Sequence, residues 1–157
     1  MPVPALPGRT SPERCAENHP VIPSNMQKGS FIMETIATSN APKAIGPYSQ
    51  GIIANGFLYT SGQLGLDPGT GLLSGEDITA QAEQAMRNLQ AIAAEAGGNL
   101  ANTVKTLCFL SDMKDFAAFN AVYEKYFPGK PARSCVAVKQ LPLDALCEVE
   151  IIVALNR

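Results

Sequence analysis

Two segments near the C-terminus hold the side chains best suited to chemistry. "PARSCVAV", Pro131 to Val138, sets an arginine at the mouth of a run rich in strand formers. "CEVEIIVAL", Cys147 to Leu155, carries Glu148 and Glu150 into an otherwise apolar strand-like run. A guanidinium presents a planar fork that takes a carboxylate in two hydrogen bonds. Arg133 could therefore anchor an anionic substrate. The plainer alternatives are a structural Arg133–Glu148 ion pair and, for Glu148 and Glu150, solvated positions on a strand. Cys135, two residues beyond Arg133, reads more readily as a small buried hydrophobe than as a nucleophile.

Period-two alternation assigns faces to these strands. In the last one Val149, Ile151, Val153 and Leu155 share one face, suited to packing against helices, and Glu148, Glu150, Ile152 and Ala154 share the other. In the preceding one Val136 and Val138 are expected on the helix side. Arg133, Cys135 and Ala137 then join Glu148 on the uncovered face, which is too apolar to meet water and is expected to meet another subunit.

The elements around these strands are marked by turns and periodicity. "GIIANGFLYTSG" has apolar runs on either side of Asn55-Gly56, the pair that favours a type I′ turn, and reads as a β-hairpin. "DPGTG", Asp67 to Gly71, is a second turn, not a phosphate loop, because no Gly-Lys-Ser/Thr follows. From Asp77 to Ala96, apolar residues at Ile78, Ala82, Ala85, Leu89, Ile92 and Ala96 recur at helical spacing until Gly97-Gly98 stops them. Arg87 is a solvated position on that helix.

"TVKTLCFLS", Thr103 to Ser111, is a strand, and "DFAAFNAVYEKYF" spaces Phe116, Phe119, Tyr123, Tyr126 and Phe127 as a second helix with Asp115 as its cap. Tyr123 and Tyr126 read as helix packing. The order hairpin, helix, strand, helix, strand, strand predicts an α+β domain with two helices on one face of a mixed sheet.

The chain has 157 residues, 46% of them apolar, enough for one domain with a real core. Residues 1–32 hold half of the twelve prolines and show neither periodicity, so they are expected to be a disordered leader or tag, with a single domain over 33–157. The only histidine, His19, lies in that leader, which removes His-based triads and His-ligated metal sites from the domain; no metal and no cofactor are expected. Net charge is −2 with no basic run, which argues against nucleic acid. No signal peptide, membrane span or CxxC pair is present, so the four cysteines are read as reduced thiols of a cytoplasmic protein without a membrane partner.

Five stretches, "APKAIGPYSQG", "LYTSGQ", "FNAVYEKYF", "PARSCVAV" and "CEVEIIVAL", in this order and spacing, resemble the RidA/YjgF family of reactive intermediate deaminases over Met33 to Arg157. The resemblance implies a chorismate-mutase-like α+β fold, a homotrimer with clefts between subunits, and hydrolysis of enamine and imine intermediates such as 2-aminoacrylate to keto acids and ammonia. Matched by motif, Arg133 binds the substrate carboxylate, Glu148 acts with a bound water, and Tyr48, Ser61, Asn120 and Cys135 line the cleft. The connection "PGK" before "PARS" is shorter than in some relatives, which bears on the cleft rim. The alternative is a non-catalytic trimer of the same fold that binds small molecules or acts as a chaperone-like or regulatory protein. RNA cleavage, also attached to this family, is disfavoured by the charge balance. Chorismate mutase chemistry is disfavoured by the few arginines of the domain, Arg87, Arg133 and Arg157.

Overall fold

Asn55 and Gly56 both adopt positive φ, 51° and 77°, the geometry that lets a two-residue turn follow the right-handed twist of its strands. Around that turn the computed structural model, which describes residues 33–156, forms the hairpin of β2 (Gly51–Ala54) and β3 (Phe57–Thr60). The strand β1 (Met33–Ile36) adds to it antiparallel, and a two-residue β4 (Gln63–Leu64) continues the line of β3 after Ser61-Gly62. Neither short strand was expected from the sequence, and the expected leader, residues 1–32, lies outside the described residues.

The remaining strands are β5 (Thr103–Leu110), β6 (Ala132–Ala137) and β7 (Cys147–Ala154), giving the order β1-β2-β3-β7-β5-β6 with β4 paired to β7. Among the described residues only β5 and β6 run parallel, and the helix α2 (Phe116–Tyr126) makes their crossover. The other long helix, α1 (Ile78–Glu95), starts where the Asp77 carboxylate accepts from the Ala80 N–H. The expected Asp115 cap of α2 is not made. Asp115 already has near-helical φ/ψ and makes no side-chain bond there, because the chain enters through a short 3-10 turn capped instead by Asp112 on the Lys114 N–H at 2.9 Å.

Both helices cover one face of the sheet, as expected. Ala82, Ala85, Met86, Leu89 and Ile92 of α1 and Phe119 and Val122 of α2 are buried with Leu58, Cys108, Leu110, Val149, Ile151 and Val153 beneath them. Each large side chain so buried contributes about 1.5–3 kcal/mol. The opposite face is uncovered and apolar: Phe57, Tyr59, Val104 and Val136 are exposed there. Among the described residues no helix is long and apolar enough to cross a membrane.

One expectation about this sheet is overturned. Register pairs Thr106 with Arg133, Cys108 with Cys135 and Leu110 with Ala137, so these β6 residues share the helix face with buried Thr106, Cys108 and Leu110. Val136, expected on the helix side, stands 49% exposed on the open face instead. β6 is an edge strand under the start of α2, so its helix face is only partly covered and accepts an arginine, while its outward valine joins a face that is itself apolar.

Candidate active site

Arg133 sits at the second residue of β6, half-buried under α2. Its Nη1 donates to Asn120 Oδ1 at 2.7 Å, and its guanidinium carbon lies over the rings of Tyr123 and Phe116, 4.7 and 5.5 Å from their centroids. Phe116, Asn120 and Tyr123 stand at i, i+4 and i+7, one stripe of the helix, which is why all three meet one side chain. Among the described residues no carboxylate lies within ion-pair distance of Arg133. A cavity of about 350 Å³ opens beside it, lined by Asn120, Tyr123, Lys130 and Arg133 among others.

Cys135 follows on the same face. Burial pushes its thiol up, with the Arg133 charge only partly opposing, so the neutral form persists and the thiol is no ready nucleophile. Cys108 and Cys147 are buried more deeply, and both thiols are pushed up to about 12.

Glu148 occupies the open face two strands away. Its backbone pairs with Leu64 of β4 and Phe109 of β5, and its carboxylate packs against Gly62, where any side chain would collide with it. Burial first, and the neighbouring Glu150 charge second, raise its pKa above the ordinary carboxylate value of 4.5. Ser61, next to Gly62, donates from Oγ to the Ser49 carbonyl at 2.6 Å and from its N–H to the Gln50 carbonyl. That pins the loop carrying Tyr48, which is half exposed and lines a cavity of about 420 Å³ with Lys43 and Thr38. Buried Gln50 braces the other side of the loop, accepting from Thr38 N–H and donating to the Pro42 carbonyl.

The predicted site residues thus fall into two groups. Arg133, Asn120 and Cys135 stand together on the helix face at the sheet edge; Glu148 and Ser61 stand at the junction of β3, β4 and β7, and Tyr48 lies in the loop before β2 that Ser61 pins. Two strand spacings and a three-residue offset separate Arg133 from Glu148 by on the order of 10–15 Å, on opposite faces, so the ion pair between them does not form within a chain. Three contributors were not recognised in the sequence. Gly62 could have been suspected from its place in "TSGQ", and the aromatic partners Phe116 and Tyr123 from their spacing around Asn120.

The family model for endoribonuclease L-PSP matches residues 38–155. The chain belongs to this family, the RidA/YjgF family. Among its members, a RutC family protein of Synechocystis is 50% identical over 126 residues, covering 78% of this chain and 97% of the relative. A Salmonella typhimurium RidA/YjgF member named 2-iminobutanoate/2-iminopropanoate deaminase is 48% identical over 123 residues, 76% of this chain and 95% of its own. The crystal structure of the Escherichia coli YjgF gene product superposes with a TM-score of 0.74 at 45% identity, covering 79% of this chain and 99% of that one. The α+β architecture matches the solved structures of the family.

Proposed function

We propose that the protein hydrolyses reactive enamine and imine forms of 2-amino acids, 2-aminoacrylate among them, to 2-keto acids and ammonia. The observation that carries this reading is the state of Arg133: a half-buried cation held by a neutral amide and two rings, with no carboxylate among the described residues to balance it. A 2-imino acid brings that carboxylate. The deaminase name of the Salmonella relative supports the same reaction.

Glu148 supplies the proton chemistry. Its raised pKa keeps a larger fraction protonated than an ordinary carboxyl would have. The acid gives its proton to the enamine carbon, forming an iminium; the carboxylate then takes a proton from the water that attacks the C=N carbon. Returned to nitrogen, that proton lets ammonia leave, and the hydroxyl proton released as the C=O forms passes back to the Glu148 carboxylate and restores the acid. Proton transfers and one water balance the reaction, so it asks for no cofactor. Fixing the carboxylate and aligning the water provide most of the acceleration.

Because Arg133 and Glu148 lie on opposite faces of one sheet, the reading places the cleft between copies, with the Arg133 group of one facing the Glu148 group of the next. Threefold closure, a homotrimer, would cover the apolar open face. Tyr48, Ser61, Asn120 and Cys135 then line the cleft. RNA cleavage, which the family model's name suggests, would want a basic surface that a chain of net charge −2 does not advertise.

The test couples the purified protein to an enzyme that releases 2-aminoacrylate and times keto acid formation. Acceleration is expected, and Arg133→Lys should lose at least about tenfold while keeping its melting temperature, since an ammonium cannot reproduce the fork. Binding of keto acid without acceleration would favour the non-catalytic binder, and an Arg133→Lys variant with full activity would remove the anchoring role.

A further inference from the structure

We infer that Tyr123 and Phe116 are positioning residues, an aromatic bed that fixes the Arg133 guanidinium in the orientation from which its fork meets the substrate carboxylate. The inference rests on the carboxylate-anchoring reading of Arg133. Tyr123 is only 7% exposed, and the position is tied at both ends. Its hydroxyl shares a 2.8 Å hydrogen bond with Thr106 Oγ1, and its ring lies 4.7 Å from the guanidinium carbon. Thr106 is fully buried and is the β5 residue paired directly beside Arg133. Backbone pairing, hydroxyl bond, ring and guanidinium therefore close a loop: the strand that places the Arg133 main chain also places the surface on which its side chain rests.

An arginine side chain is long and loses much rotamer freedom when it binds. For Arg133, the Asn120 oxygen on α2 takes one N–H of the fork at 2.7 Å, and the rings of Phe116 and Tyr123 cover faces that water would otherwise hydrate. Both effects order the cation before substrate arrives, so less is lost on binding. A neutral bed does this without offering a competing negative charge. On α2 the Tyr123 ring is supported by Phe127 at 4.6 Å, while Phe119 lies farther from it at 6.0 Å.

The experiment compares Tyr123→Leu, Tyr123→Phe, Phe116→Leu and Phe119→Leu. It reads the KM and kcat of imine hydrolysis, the Kd of pyruvate by calorimetry, and the melting temperature. Tyr123→Leu and Phe116→Leu should raise KM and pyruvate Kd about three- to tenfold with kcat at saturation little changed. Tyr123→Phe, which keeps the ring, should recover most of the affinity. Phe119→Leu, fully buried on the same helix but away from the guanidinium, should lower the melting temperature without moving either constant. If Tyr123→Leu fails to fold, Phe116→Leu against Phe119→Leu decides. Unchanged KM and Kd in the bed variants, or an equal loss in Phe119→Leu, overturns the inference. Arg133→Lys measured alongside separates the two ideas. If it too binds pyruvate normally, the anchoring reading falls; if it alone loses affinity, only the aromatic bed does.

Discussion

At the scale of single residues the molecule keeps a cation and an acid in different conditions. Arg133 is permanently charged and is held by neutral groups; Glu148 is an acid whose burial, reinforced by Glu150, works against its charge. A carboxyl with a raised folded-state pKa binds its proton more tightly in the native chain than in the unfolded one. The stability it contributes is therefore complete below the ordinary carboxylate range and is lost as pH rises through the raised value. Glu148→Gln cannot ionise. Relative to the parent chain, its melting temperature should rise as pH climbs above the ordinary carboxylate value of 4.5, while imine hydrolysis falls about 10²–10⁴-fold with a milder effect on KM. Calorimetric scans across pH, paired with rates, check both. A difference that shrank with rising pH would reverse the sign argued for the carboxyl.

At the scale of elements, α1 does more than cover the sheet. Asn88, fully buried, donates to the carbonyls of Leu64 and Leu66 and accepts from Gln84, and Gln81 accepts from the Leu146 N–H. One helix thus ties down both β4, which pairs with Glu148, and the residues that lead into β7. Asn88→Ala strands two part-buried carbonyls and should cost about 1–3 kcal/mol in a urea titration. An unshifted midpoint would mean that water replaces the amide. None of this was readable from the sequence, where an asparagine inside a helical pattern looks merely tolerated. The hairpin, both helices and β7 were readable, because the Asn55-Gly56 turn, the apolar spacing of Ile78 to Ala96 and the every-second-residue run Val149, Ile151, Val153 and Leu155 each fit one element. The faces of β6 were not. Alternation offers two choices a residue apart, and the rule that valine points inward fails on an edge strand whose open face is apolar as well. The motif match still picked Arg133, Asn120 and Cys135, which lie together, and Ser61 and Glu148, which flank Gly62, with Tyr48 on the loop that Ser61 pins. Their separation onto two faces came only with the pairing register.

At the scale of the whole molecule that separation is the basis of the proposed trimer, and it can be tested without imaging one. Arg133→Lys and Glu148→Gln chains, each nearly inactive alone, should regain about a quarter of the parent rate when unfolded together and reassembled in equal amounts. With random closure, one cleft in four receives an intact Arg133 from one copy and an intact Glu148 from its neighbour. No recovery would place both groups in one chain, and light scattering that found a stable monomer would remove the trimer altogether. The outer edge of β6 gives this arrangement a further meaning. A lone copy shows unpaired strand backbone beside exposed Val136, a surface prone to sticking wherever it lands. The proposal makes that same copy inert, since it holds half of each of two clefts and the whole of none. Dilution then acts as an off switch, and a freshly made chain gains both solubility and chemistry in the single event of meeting its own kind.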